Sequence, residues 1–143
     1  MPDLHLSVAS ALPEVRRVIS AVEAFGKAND LPLGPLAHLR LALDEFLTNA
    51  VTYGAAGGNG HKIEVDVTLE GHMVTVTIVD RAPPFNPLDV PPPDLSLELD
   101  DRPIGGLGIH LARGVMDEVL YRRDGDRNIL TLRKSLVAKA ARS

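Results

Sequence analysis

The 143-residue chain contains no cysteine and no tryptophan. Without a thiol, disulfides, cysteine nucleophiles, thiolate metal sites and CxxC redox chemistry are excluded. The same absence agrees with a cytosolic setting. Aromatic side chains are scarce as well: Phe25, Phe46, Tyr53, Phe85 and Tyr121 are the whole set. A single-strand nucleic-acid binder needs a basic groove with aromatic platforms, and a chain of formal net charge −4 offers neither. Basic residues do gather at the end (Arg133, Lys134, Lys139, Arg142), and the stretch 135–143 reads as a solvated tail. No apolar run approaches the ~18–20 residues of a membrane span. Residues 1–5 lack the basic and apolar regions of a signal peptide. The expectation is a cytoplasmic protein with no membrane and no direct nucleic-acid partner.

What is present supports a packed core. At 45% apolar residues, a chain of this length suits one domain over 1–143. Leu4 to Val8 alternates as a short strand. Ser10 and Pro13 mark a helix start, Val15, Val18, Ile19, Val22 and Phe25 recur at helical spacing, and Gly26 reads as its end. A second helix is expected from Pro35 to Tyr53, with Leu39, Leu43, Phe46, Leu47 and Ala50 as its apolar stripe. After the glycine-rich stretch 54–60, Lys62–Leu69 and His72–Asp80 alternate with period two and form a hairpin around Glu70-Gly71. A last helix follows Gly108, and Val119–Arg123 and Asn128–Lys134 make a final hairpin. These elements predict a two-layer α/β sandwich: a mixed, mainly antiparallel sheet covered on one face by helices.

Between Arg81 and Pro103 the periodicity stops. Seven prolines and five carboxylates (Asp89, Asp94, Glu98, Asp100, Asp101) fall in this stretch. So long a connection inside a compact domain is typically a functional lid or disordered.

Candidate chemistry lies around that stretch. Glu45 and Asn49, four apart on the second helix, share one side, away from the apolar stripe. They read either as part of a solvated face or as a carboxylate base beside an amide oxygen suited to a hard cation. Asp80 has the parity of Val74, Val76 and Ile78, so it points to the apolar side where its strand ends. It needs a partner there, either a nearby backbone group or a ligand donor such as an exocyclic amine. Gly105-Gly106-Leu107-Gly108 at a helix start suits an anion. It is neither a Walker P-loop nor a Rossmann fingerprint. The five histidines show no metal-ligand spacing, and no G-x-S-x-G element occurs.

Taken in order, these segments resemble a known family. Leu41-Ala42-Leu43-Asp44-Glu45-Phe46-Leu47-Thr48-Asn49-Ala50-Val51 is similar to the N box of the Bergerat-fold (GHKL) ATP-binding proteins. Asp80-Arg81-Ala82-Pro83-Pro84-Phe85-Asn86-Pro87 resembles the first glycine box and Gly105-Gly106-Leu107-Gly108-Ile109 the second. Within that superfamily the chain looks like the anti-sigma factor serine-protein kinases of the RsbW and SpoIIAB type, over about residues 4–134. The resemblance implies ATP and Mg²⁺ as cofactors and residues 81–104 as the ATP lid. Asn49 would hold Mg²⁺ and Glu45 would be the general base. Asp80 would accept from the adenine amino group, with Ala82 beside it. Gly105, Gly106, Leu107 and Gly108 would wrap the phosphates, and Asn128 would stand near the adenine. Ala82 replaces the family's usual glycine, and Tyr53 stands where histidine is frequent. The implied activity is serine/threonine kinase action on an anti-anti-sigma (STAS-type) protein, with a sigma factor as a further partner and homodimers as a common state. The alternative is a nucleotide-dependent partner-switch module without turnover.

Overall fold

The computed structural model describes residues 2–54, 61–89 and 106–137. Gly105, most of the expected lid and residues 138–143 of the expected tail therefore lie outside the described residues. The element order is β1 (Leu4–Ala9), α1 (Leu12–Ala28), α2 (Leu33–Gly54), β2 (Lys62–Glu70), β3 (Met73–Asp80), α3 (Gly106–Val115), β4 (Glu118–Asp124) and β5 (Arg127–Ser135), with one 3-10 turn at Pro87–Asp89. The strands form one sheet in the order β1-β2-β3-β5-β4. Every neighbouring pair is antiparallel, so the parallel component of the expected mixed sheet is absent among the described residues.

The period-two alternation places the core. Ile63, Val65 and Val67 of β2, Val74, Val76 and Ile78 of β3, and Leu130 and Leu132 of β5 are buried on one face. Against them lie Leu39, Leu43, Phe46 and Leu47 of α2, flanked by Val18 and Val22 of α1 and by Ile109 and Ala112 of α3. The alternate residues Glu64, Arg122 and Arg133 face solvent. α2 is the central helix and packs on both α1 and α3.

Two helix boundaries differ from expectation. The N-cap of α1 is Ala11, with no side-chain cap bond, so Ser10 does not serve; Pro13 stabilises the first turn through its fixed φ. Gly26 does not end α1. It lies inside the helix because Leu36 packs directly on it: a Cβ there would stand 2.7 Å from Leu36 Cδ1. The helix stops two residues later, where Asn29 donates to the Phe25 carbonyl at 2.9 Å and Asp30 turns left-handed at φ 55°. Close helix approach and helix termination both call for glycine, and only the packing separates them.

The edge strand β1 carries a pH-sensitive contact. His5 pairs with the Asp66 carboxylate on β2, its cross-strand neighbour. The hydrogen bond to Asp66 raises the His5 pKa above its ordinary value, and the charges of Asp66 and Glu64 act in the same direction. A raised histidine pKa means the contribution is complete below the unfolded value and is lost as pH rises through the folded one. The Tm advantage of the wild type over His5→Ala is therefore expected to shrink between about pH 6 and pH 8. A pH-independent difference in paired melts would remove the pair from this role.

Candidate functional site

β3 and β5 run side by side with Asp80 opposite Asn128, and β4 adds Arg123 opposite Asn128. All three belong to the helix-facing parity of their strands and lie where the alternation ends. Above this row is a narrow pocket with an open mouth. Asn49, Ala50 and Tyr53 border it from α2, and Ile78, Asp80, Ala82 and Phe85 from β3 and the following loop. Four of the five aromatic side chains of the chain line it, Phe25 being the exception. Tyr53 and Phe85 stack on one another with centroids 4.0 Å apart and planes at 19°. That separation leaves no room for a third ring between them.

Asp80 is half-buried and held on one oxygen. Its Oδ1 accepts from the Ala82 N–H at 2.9 Å and from Asn128 Nδ2 at 2.9 Å. Both bonds go to Oδ1, so Oδ2 is the acceptor left to the pocket. Asn128, only 5% exposed, is engaged on both ends. Its Nδ2 also donates to the carbonyls of Ala82 (3.2 Å) and Pro83 (3.1 Å). Its Oδ1 accepts from Tyr121 Oη at 2.6 Å, Arg123 Nη1 at 3.2 Å and the Phe85 N–H at 3.4 Å. Asn128 thus ties the loop after β3 to the sheet. Ala82 is buried, and its methyl is accommodated at the pocket wall. Arg81 extends the tie outward through a 2.7 Å ion pair with Asp126, whose carboxyl the guanidinium holds below the usual range.

Glu45 and Asn49 are both half-buried rather than on a fully solvated face. Asn49 Nδ2 donates to the Glu45 carbonyl at 2.8 Å and to Glu45 Oε1 at 3.2 Å. Its amide oxygen takes no part in these bonds and remains an acceptor. The Glu45 carboxylate lies against α3: a Cβ on Gly108 would stand 2.2 Å from Cδ and Oε1 and 2.3 Å from Oε2. Gly106 to Gly108 form the first turn of α3 rather than a loop preceding it. The N–H groups of a first helical turn have no intrahelical partner, and with the positive helix end they favour an anion. Gly105 lies outside the described residues.

No cluster of three or more His, Asp or Glu that could hold a metal occurs among the described residues. A cation at Asn49 would rely on the amide oxygen and on oxygens of a bound ligand, which is how Mg²⁺ is commonly held beside phosphates. The donor set fits that use. A larger, open hollow lies where the start of α2, the end of α3 and the end of β5 meet. Its Lys134 ammonium is spent on the Val115 carbonyl at 2.6 Å, at the negative end of α3.

Residues 8–134 match the family described as the histidine kinase-like ATPase domain. The chain belongs to this family. It is 32% identical over 94 residues to the serine/threonine-protein kinase BtrW of Bordetella bronchiseptica, an alignment covering 66% of each chain. It is 24% identical over 140 residues to the anti-sigma F factor of Anoxybacillus flavithermus, covering 97% of this chain and 96% of that one. In fold it is similar to the solved RsbU and RsbW domains of a Mycobacterium tuberculosis protein, with TM-score 0.67 and 20% identity. That match covers 94% of this chain and 32% of the other, so this ATPase domain spans about a third of that protein's length. No helix among the described residues is long and apolar enough to cross a membrane.

The ATPase domain thus brings Asp80, Ala82, Asn128 and Asn49 to one pocket, with Glu45 one turn further along α2 against Gly108. Sequence reasoning missed Tyr121 as a lining residue of this site and Arg123 as a support behind it. Their signal was available: both share the inward parity of Val119 on β4, and an arginine in such a position needs acceptors.

Proposed function

We propose that this domain is an ATP-binding anti-sigma regulatory factor that acts as a serine/threonine kinase on a STAS-type partner. The observation that carries this reading is the continuous line from the Asp80 pocket through Asn49 and Glu45 to the first turn of α3. One helical turn, about 5.4 Å, separates Asn49 from Glu45, so base, cation and phosphate groups meet successive residues. Asp80 Oδ2 would accept the adenine amino hydrogen. The Asn49 oxygen would bind Mg²⁺, which neutralises charge on the phosphates. Gly106 to Gly108, together with Gly105, would receive the phosphates with backbone N–H groups.

Glu45 would take the proton from a partner serine as its oxygen bonds to the γ-phosphorus. The bond from that phosphorus to the β–γ bridging oxygen breaks, and ADP leaves with its electron pair. Positioning and electrostatics supply most of such a step. Asn49 orients the base through the 3.2 Å bond to Oε1. The kinase and anti-sigma names of the relatives support the partner class, and a sigma factor would be the second partner.

The test is transfer of labelled phosphate from Mg-ATP to a STAS protein, beside nucleotide titrations by calorimetry. Transfer at a rate above background supports the kinase. Nucleotide binding with no transfer leaves a partner switch without turnover. In the same titrations, Asp80→Asn is expected to weaken ATP about 10–100-fold, because the amide loses a charged acceptor, while tripolyphosphate affinity stays constant. Equal weakening of both ligands removes Asp80 from base recognition.

A further inference from the structure

We propose that Arg123, on the outer strand β4, is a positioning residue that sets the base selectivity of the pocket. Two groups donate to Asp80 Oδ1, the Ala82 N–H and Asn128 Nδ2, both at 2.9 Å. A single Arg123 atom, Nη1, holds the oxygens of the same two residues: the Ala82 carbonyl at 2.7 Å and Asn128 Oδ1 at 3.2 Å. Arg123 therefore grips both supports of the Asp80 carboxylate from behind, without touching the pocket itself. Its own orientation is fixed by a third bond, from Nε to the Gly125 carbonyl at 3.0 Å.

The chemistry is directional. A guanidinium only donates, so it draws the Ala82 carbonyl and the Asn128 oxygen towards β4. That leaves the Ala82 N–H and the Asn128 amide nitrogen facing Asp80. Charge-assisted bonds polarise the amide between them and strengthen its bond to the carboxylate. With Oδ1 held twice, Oδ2 is presented to the pocket in one orientation, as an acceptor. A purine with an amino group at position 6 satisfies it, and one with a carbonyl there sets oxygen against oxygen. Selection between adenine and guanine nucleotides thus depends on a residue remote from the base.

This inference rests on the ATP reading above, and the experiment separates the two. Calorimetric Kd values for ATP, GTP and tripolyphosphate are measured on the wild type, Arg123→Met and Arg127→Met. Arg127 braces the same β4–β5 turn through a 2.8 Å ion pair with Asp124, but its side chain hydrogen-bonds neither Ala82 nor Asn128. Arg123→Met is expected to reduce the ATP-to-GTP preference about tenfold, the worth of one charge-assisted bond. Tripolyphosphate affinity should not change, and Arg127→Met should keep the wild-type preference. If Arg123→Met does not fold, Arg123→Gln, which keeps one amide donor and loses the charge, carries the same expectation. An unchanged preference in the folded Arg123 variant, or the same loss in Arg127→Met, overturns the proposal while leaving ATP binding intact. A wild type that binds neither nucleotide overturns the ATP reading and this inference with it.

Discussion

Glu45→Ala is expected to lower phosphoryl transfer to a STAS partner by about 10²–10⁴-fold, the usual contribution of a positioned general base. Nucleotide affinity should hardly move, because Glu45 stands one turn beyond the residues that line the base pocket. Asn49 keeps its bond to the Glu45 main-chain carbonyl in this variant, so the α2 turn is preserved. The measurement is single-turnover transfer beside a calorimetric Kd. A rate equal to wild type would show that the serine hydroxyl needs no base at this position, as a loose phosphoryl transition state allows. A parallel fall in affinity would place Glu45 in nucleotide binding instead.

Gly108→Ala is expected to have the second largest effect, and through the same carboxylate. The new methyl would need the space of Glu45, whose carboxyl atoms stand 2.2–2.3 Å from it. Either the glutamate swings away from the first turn of α3 or α3 shifts on α2. A swing of the glutamate costs little stability, because the clashing atoms are the far end of a flexible side chain, whereas a shift of α3 costs about 1–3 kcal/mol; either way transfer should fall about 100-fold with the displaced base. Gly114→Ala is the control, because the same methyl in the same helix meets nothing within 4 Å. By propensity alone it should be neutral or slightly stabilising, since alanine is the better helix former by about 1 kcal/mol. Equal melting temperatures and transfer rates for the two variants would mean that Gly108 is not fitted to Glu45.

These contacts also show what a sequence can and cannot display. Alternation along β2 and β3 is enough to assign the buried face, and the parity of Asp80 is enough to send it inward, because period two is a local property. The glycine contacts have another origin. By the backbone freedom of glycine, Gly26 reads in the sequence as a helix end, and Gly108 reads as part of an anion-binding helix start. Each also meets a side chain of another part of the fold: Leu36 against Gly26 and Glu45 against Gly108. The network around Asn128 was out of reach for a topological reason. The β4–β5 hairpin alone pairs Arg123 with Asn128, but β5 inserts between β3 and β4, so Asp80 joins them only once the sheet order is known. The roles of Glu45, Asn49 and Asp80 stand among alternatives in the residues alone, and the resemblance is what chooses between them.

The concentration of aromatic rings at the pocket has an optical consequence. With no tryptophan in the chain to mask it, the tyrosine emission comes from Tyr53 and Tyr121, and both line the pocket. One is stacked on Phe85 and the other donates its hydroxyl to Asn128. A base entering the pocket must disturb that stack or lie against it. The protein therefore carries an intrinsic, label-free fluorophore pair confined to this pocket, and under the proposed function arrival of a nucleotide is expected to change its signal in stopped flow.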